Sequence, residues 1–187
     1  MSNTTTTQAP STKVVTGVVR LSYAHIWEPV AIEEGQDKKY STSIIIPKSD
    51  TETIAKIEKA IEAAKLAGKE KLGAKGGKLK LPLRDGDEER PDDEAYANSY
   101  FLNASSRTKP GIVDKNVSPI MDRDEVQSGD YARVSINFYA YNTSGNRGIA
   151  VGLNNIMKVK TGERLGGKSS AADDFAAVAA DSDDDLF

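Results

Sequence analysis

Residues 131–141, YARVSINFYAY, alternate strictly between two kinds of side chain. A period of two in a segment rich in β-branched and aromatic residues predicts a strand with one buried face. The apolar set is predicted to face a core: Ala132, Val134, Ile136, Phe138 and Ala140. The other set is predicted to face outward: Tyr131, Arg133, Ser135, Asn137, Tyr139 and Tyr141.

The outward row combines flat aromatic rings, which can stack on bases, with a cation, which can bind phosphate. It contains no acidic residue that would repel a polyanion. Such a composition is typical of a sheet that binds unstacked bases. The alternative is an ordinary solvated strand in which tyrosine is favoured by its β-propensity. This strand by itself leaves both interpretations open.

Four further segments carry strand patterns: 13–23, 39–47, 97–105 and 148–159. In the first of them, Val15, Val19, Leu21 and Tyr23 are predicted to share one face. Residues 24–38, with a histidine, a tryptophan and a proline, are predicted to form a loop.

Residues 49–67 are predicted to form an amphipathic helix. Ser49 and Glu52 have the spacing of a capping box, and Gly68 is suited to end the helix. An apolar stripe recurs at helical spacing: Ile54, Ile57, Ile61 and Ala64.

Several short strands separated by turn signals favour a small barrel over a parallel sheet. The sequence therefore predicts a mainly β fold, a five-stranded OB-like barrel with one amphipathic helix and long loop insertions. The helix falls between the second and third strands, whereas barrels of this kind often place it between the third and fourth. Residues 13–165 form the predicted domain, and the polar segments 1–12 and 166–187 are predicted to be disordered.

The chain has no cysteine and a single histidine, His25. This composition excludes a disulfide framework, a thiolate metal site, a histidine-based metal cluster and a Ser-His-Asp triad within the chain. No cofactor is expected. No apolar run approaches the length of about 20 residues that a membrane span needs, and residues 1–12 lack the features of a secretion signal. We therefore expect a cytoplasmic protein.

The net charge of −3 is unevenly distributed along the 187 residues. Residues 169–187 hold six aspartates and no lysine or arginine, and removing those six leaves 22 acidic against 25 basic residues, a net charge of +3. A mildly basic body with an acidic tail is the asymmetry expected of a nucleic-acid binder.

Residues 83–94, LRDGDEERPDDE, form a dense acidic segment. Carboxylates bind Mg²⁺ for phosphoryl chemistry, so a magnesium-dependent nuclease using Asp85, Asp87, Asp92 and Asp93 is one alternative. Against it, these acids lie in one Gly/Pro-interrupted loop and do not follow separate strands. A replication adaptor that uses the barrel only for protein contacts is the other alternative.

The chain ends on an acidic run followed by two apolar residues: Asp183, Asp184, Asp185, Leu186 and Phe187. A solubilising tail has no use for a terminal apolar anchor. An acidic stretch with such an anchor can instead dock into a basic-rimmed apolar pocket of another protein. It can also compete with nucleic acid for the basic groove of its own chain.

Longer stretches of the body carry a resemblance. KYSTSIIIPKSDTETIAKIEKAI, LPLRDGDEERPDDEAY, YFLNASSRTKPGIVD and SGDYARVSINFYAYNTSGNRGIAVGLNNI resemble phage-type single-stranded DNA-binding proteins with an OB-type barrel, a family once known only as a domain of unknown function. The tail DDDLF resembles the acidic, Phe-ended tail of bacterial and phage single-stranded DNA-binding proteins. The resemblance covers residues 14–165. It implies sequence-tolerant single-strand binding in phage DNA replication or recombination, with tail-mediated contacts to replication enzymes.

Together these patterns predict a non-enzymatic DNA-binding protein. Bases are predicted to stack on Tyr131, Tyr139 and Tyr141, with Tyr40, Phe101 and Trp27 as further candidates. Trp27 and Phe101 suit the core equally well. Phosphates are predicted to lie against six basic residues: Arg133, Arg20, Lys38, Lys39, Arg107 and Lys109.

Overall fold

The computed structural model describes residues 11–31, 33–73 and 78–165. The strands are β1 (Lys13–Val15), β2 (Val19–Val30), β3 (Lys39–Pro47), β4 (Arg84–Asp85), β5 (Ser99–Ser106), β6 (Gly111–Val113), β7 (Tyr131–Thr143) and β8 (Asn146–Lys160). The helices are α1 (Thr51–Ala67), α2 (Lys69–Leu72) and α3 (Gly86–Glu89), with 3₁₀ turns at Glu94–Tyr96 and Arg123–Glu125. None of the helices described in these ranges is long and apolar enough to cross a membrane.

The five long strands close a barrel in the order β2-β3-β5-β8-β7, because β7 pairs with β8 on one side and with β2 on the other. All neighbours are antiparallel except β5 and β8, which run parallel and pair at Ser105 and Gly152. This is the Greek-key arrangement of an OB barrel. The mainly β fold is confirmed, including the helix between the second and third barrel strands.

The apolar face of β7 lies at the centre of the core. All five of its predicted core residues are buried, and the Val134 and Ile136 side chains are completely inaccessible. Helix α1 packs against this face through Ile57, Ala60, Ile61 and Ala64. A Cβ atom on Gly68, where α1 ends, would overlap the Ala140 methyl group, so only glycine lets the helix end approach β7 this closely.

Helix α1 begins two residues later than predicted. Asp50, not Ser49, caps it by accepting a hydrogen bond from the Thr53 backbone N–H at 3.1 Å. The Thr53 hydroxyl donates to Asp50 at 2.7 Å and accepts from the Gly17 N–H at 2.9 Å. The contact with Gly17 links the helix start to the turn between β1 and β2, a tertiary contact that the capping-box spacing did not include.

The first predicted strand differs most from expectation. It is interrupted between β1 and β2, and β2 then continues through most of the segment predicted as a loop. Val19 and Leu21 are buried, but Val15 and Tyr23 are 53% and 54% exposed, so the four residues do not share one face. The prediction was wrong there for two reasons. The break between β1 and β2 means that the inward–outward alternation of side chains does not continue from Val15 to Val19. A bulge at Tyr23 then turns the Tyr23 side chain outward.

Candidate nucleic-acid interface

The outward row of β7 has the predicted orientation. Tyr139 is 44% exposed and Arg133 is exposed, while Tyr131 and Tyr141 are half-buried. Arg133 has no ion pair or hydrogen bond with any residue in the described ranges. The rings therefore point away from the core that Val134 and its neighbours fill.

Strand β8 places small residues opposite part of this row. In the β7–β8 register, Gly152 lies opposite Asn137, Ala150 opposite Tyr139 and Gly148 opposite Tyr141. A Cβ atom on Gly152 would lie 3.7 Å from the Tyr139 Cε1 atom, which places this ring edge over the glycine. Because Ala150 and Gly152 are small, a flat ligand can approach Tyr139 from the β8 side, whereas the Lys80 backbone covers Gly148 beside Tyr141.

A groove of about 630 Å³ lies beside Tyr141. It forms where β5 and β8 separate, since they pair only at Ser105 and Gly152. The segment 80–84 forms its far wall, because Lys80 pairs with Gly148 at the β8 edge. The groove is lined by an amide, a hydroxyl, two cations and apolar surface: Asn103, Ser105, Lys80, Arg84, Leu81, Pro82 and Ala150.

At the opposite end of β7, two cations lie over the Tyr131 ring. The Lys160 ammonium is 4.8 Å and the Arg20 guanidinium 5.4 Å from the ring centroid. Arg20 also donates to the backbone carbonyls of Gly129 at 3.0 Å and Glu163 at 2.7 Å. These hydrogen bonds give Arg20 a structural role at a position predicted to bind phosphate.

A second group of predicted residues lies where β3 begins and β5 ends. Tyr40 is half-buried and pairs with Ser106, next to the Ser105–Gly152 pair. Arg107 forms an exposed ion pair with Asp37 at 3.3 Å. The remaining basic members are the exposed Lys38, the half-buried Lys39, and Lys109, which lies 4.9 Å from the Trp27 ring centroid.

Two of the predicted stacking residues are used in packing. Phe101 is 2% exposed and packs edge-to-face against Tyr96, with ring centroids 5.0 Å apart, in a small cluster with Ile45. Its ring has no open face for a base to stack on. The prediction of Phe101 as a stacking residue was therefore wrong, and its role is in packing. Trp27 is half-buried against the core, and its indole N–H donates to the Val126 carbonyl at 2.9 Å.

The acidic segment folds back onto the barrel through ion pairs. The Lys48 ammonium lies 2.9 Å from the Asp85 carboxylate and 2.8 Å from that of Asp87. Hydrogen bonds from Lys48 lower the pKa of both carboxyl groups, and the same bonds raise the pKa of Lys48.

Other carboxylates of the segment are also engaged. Glu89 pairs with Arg84 at 2.8 Å, and Asp93 accepts from the Ala95 N–H at 3.2 Å. Within the described ranges, no three His, Cys, Asp or Glu side chains are grouped so that they could hold a metal ion. These contacts assign the acidic segment a structural role and do not favour the magnesium hypothesis.

The segment 161–165 crosses the outside of the barrel after β8. The fully buried Asp130 carboxylate accepts from the Gly162 N–H at 3.1 Å and from Arg164 at 2.9 Å. Leu165 packs against the cluster that contains Phe101. The five predicted partner-binding residues lie outside the described residues, as do the segments 1–10 and 166–187: Asp183, Asp184, Asp185, Leu186 and Phe187.

Several site residues were not among the sequence candidates. Asn103 and Ser105 alternate with buried Leu102 and Ala104, so the strand pattern contained the signal that they face outward. Lys80 ends the basic, glycine-rich segment 69–80, which could either bind phosphates or serve only as a solvated linker, and nothing in that segment marked its pairing with β8.

A protein-family model described as "Enterobacter phage Enc34, ssDNA-binding protein" matches residues 12–187. Protein p50 of Acyrthosiphon pisum secondary endosymbiont phage 1 is 28% identical over 179 residues, which cover 87% of this chain and 92% of p50. The solved structure of the single-stranded DNA-binding protein from bacteriophage Enc34 in complex with ssDNA matches with a TM-score of 0.74 and 25% identity, covering 83% of this chain and 90% of that one.

The fold is shared more widely. The single-stranded DNA-binding protein gp2.5 of bacteriophage T7 matches with a TM-score of 0.60 and 16% identity, covering 84% of this chain and 97% of gp2.5. At this identity the match is one of fold.

Proposed function

We propose that this chain, which belongs to the family of the Enterobacter phage Enc34 ssDNA-binding protein, binds single-stranded DNA without strong sequence preference. The observation that carries the proposal is the outward row of tyrosines along β7, with Arg133 in the same row and the small residue Ala150 opposite the exposed Tyr139. Every base has a π-face, so stacking on these rings tolerates any sequence.

In the proposed mode, bases stack on Tyr139 and Tyr141 and the phosphates follow Arg133. Tyr131, which already has two cations over its ring, binds at the other end of the row. The groove beside Tyr141 holds the chain as it leaves β7, and Lys80 supplies a further charge there. Tyr40, Lys39, Arg107 and Lys109 guide phosphates along the neighbouring strand ends.

The test is a titration of labelled oligo-dT, duplex DNA and RNA at two salt concentrations. Oligo-dT is expected to bind more tightly than duplex, with a log–log salt slope of about −0.7 for each phosphate neutralised. The RNA arm measures discrimination by the sugar, which depends on contacts to the 2′-hydroxyl. If labelled single strands do not bind at low salt, the protein-adaptor alternative replaces this proposal.

We also propose that the chain binds without cutting, and that it acts in phage DNA replication or recombination in the host cytoplasm. Single-stranded DNA incubated with the protein and Mg²⁺ is expected to stay intact. Cleavage that disappears in the Asp85→Asn and Asp87→Asn variants would establish the nuclease alternative.

The terminal residues 183–187 are proposed to recruit replication or recombination proteins. Deleting residues 181–187 is expected to abolish capture of such proteins, while DNA affinity stays the same or rises because a competing anion is removed. A clear fall in DNA affinity would refute competition between the tail and DNA.

A further inference from the structure

Tyr23 is an exposed aromatic residue in an uncommon backbone conformation. Its φ angle is +46°, a left-handed value that residues other than glycine adopt infrequently. The bulge around it shifts the β2–β3 register between Ser22 and His25. Residues held in such conformations cluster at ligand sites, where the surrounding structure fixes them.

Arg90 holds the Tyr23 ring in place. Its guanidinium lies 5.2 Å from the Tyr23 centroid and 4.7 Å from the Tyr96 centroid. Its Nη1 donates to the Tyr23 hydroxyl at 3.3 Å, and it forms an ion pair with Asp93 at 3.7 Å. An exposed ring that is fixed in this way loses little side-chain entropy when a ligand stacks on it.

A cavity of about 450 Å³ adjoins Tyr23. Pockets that take small ligands measure about 300–1,000 Å³. Its lining includes the Trp27 and His25 rings and the hydrogen-bonding side chains of Gln127 and Ser128.

The charges at the cavity are balanced within the protein. Asp93 is paired with Arg90, and Arg164 is paired with the buried Asp130. A balanced, ring-lined cavity fits an aromatic heterocycle better than a phosphate, because burying an uncompensated charge is costly.

The cavity lies beyond the end of the β7 row. Tyr131 pairs with Arg20 across β7 and β2, and Tyr23 follows Arg20 on the same strand. The turn that leads into β7 contributes Gln127 and Ser128 to the lining. A DNA strand that runs along β7 towards Tyr131 therefore arrives beside the cavity.

We propose that this cavity is a base-binding subsite, in which one base of the bound single strand stacks on Tyr23. The inference rests on the proposed function, because it places a further base of the same DNA. It adds a contact on β2, away from the β7 row.

The chain carries its own probe for this subsite. Trp27 is the only tryptophan in the sequence and it lines the cavity. Since a base close to an indole quenches its fluorescence, oligo-dT is titrated while Trp27 emission and the anisotropy of a DNA label are followed together. Emission is expected to fall in step with binding.

Three variants separate the roles. Tyr23→Leu is expected to lose affinity about 5- to 150-fold, the range of a single base–aromatic stack, and to lose most of the quenching at saturation. Tyr23→Phe retains the ring and is expected to stay close to wild type. Tyr139→Leu is expected to bind more weakly but to quench fully once saturated, because its ring lies on β7.

Binding without a change in Trp27 emission overturns the subsite and leaves the proposed function standing. If Tyr23→Leu binds oligo-dT with unaltered affinity and unaltered quenching, the subsite is likewise overturned and the proposed function stands. If Tyr23→Leu does not fold, the wild-type titration still tests the subsite, because it needs no substitution. If neither Trp27 emission nor the anisotropy of the DNA label detects binding, the proposed function is refuted, and the subsite with it.

Discussion

Strands β7 and β5 both carry outward aromatic rings, and of these two faces only that of β7 is open. On β7, Tyr139 lies opposite Ala150, with its ring edge near Gly152, and is 44% exposed. On β5, Phe101 faces the same outer side but is 2% exposed, because Tyr96 and Leu165 pack against its cluster. Arg84 and Arg90 lie 5.4 and 5.7 Å from its ring centroid.

Alternation thus determines which side of the sheet a ring occupies, while distant segments determine whether the ring is available. The cover over Phe101 comes from the acidic segment and from residues that follow β8. An outward ring is therefore a candidate for base stacking only after the covering segments are known.

The largest expected effect is on stability. Phe101→Ala should lower the free energy of unfolding by about 3–5 kcal/mol, the usual cost of removing a buried phenylalanine. Tyr139→Ala should change it by no more than about 0.5 kcal/mol, as for other exposed sites. Urea denaturation measures both. Equal losses for the two variants would remove the distinction between the faces.

Affinity should show the reverse order. Tyr139→Ala is expected to weaken oligo-dT binding by about 1–3 kcal/mol, and Tyr141→Ala by a similar amount, because each removes one stacking platform. Fluorescence anisotropy with labelled oligo-dT measures the loss. Tyr139→Phe is the matched control and should bind almost normally. A Tyr139→Ala variant with wild-type affinity would show that the open face is not the one used.

Arg133 tests the charge on the open face. Arg133→Gln should weaken binding and reduce the magnitude of the log–log salt slope by about 0.7, the contribution of one phosphate contact. Arg123→Gln removes an equal charge from an exposed ion pair with Glu28 and should leave the slope unchanged. Identical slopes for the two variants would mean that Arg133 does not contact phosphate.

The smallest effect concerns the segment over the closed face. Because Lys48 lowers the pKa of Asp85 and Asp87, their contribution to stability is present above the unfolded value of about 4 and is lost as the pH falls through the lowered folded values. The raised pKa of Lys48 means that its contribution is present below about 10.4 and is lost only at higher pH.

Thermal midpoints of wild type and Lys48→Met test this dependence. The difference between the two midpoints should be constant at neutral pH and should shrink as the solution is acidified below about pH 4. A difference that persists unchanged in strong acid would assign the effect to packing of the lysine stem.

The sequence predicted the barrel, helix α1 and the two faces of β7, because each depends on local periodicity. It failed at Tyr23, where a bulge reverses the alternation, and at the start of α1, where Gly17 enters from another element. The availability of Phe101 depends on Leu165, which is far away in sequence. Such long-range contacts leave no mark in the pattern of a single strand.

The width of the groove beside Tyr141 depends on the absence of a side chain at Gly148. A Cβ atom on Gly148 would overlap the Lys80 carbonyl, so any larger residue would push segment 80–84 away from β8. A single carbon at this position would displace Lys80 and the rest of segment 80–84, and would widen the channel. The distance between segment 80–84 and β8, and not only the side chains that line the groove, thus affects how tightly the groove can bind a DNA strand.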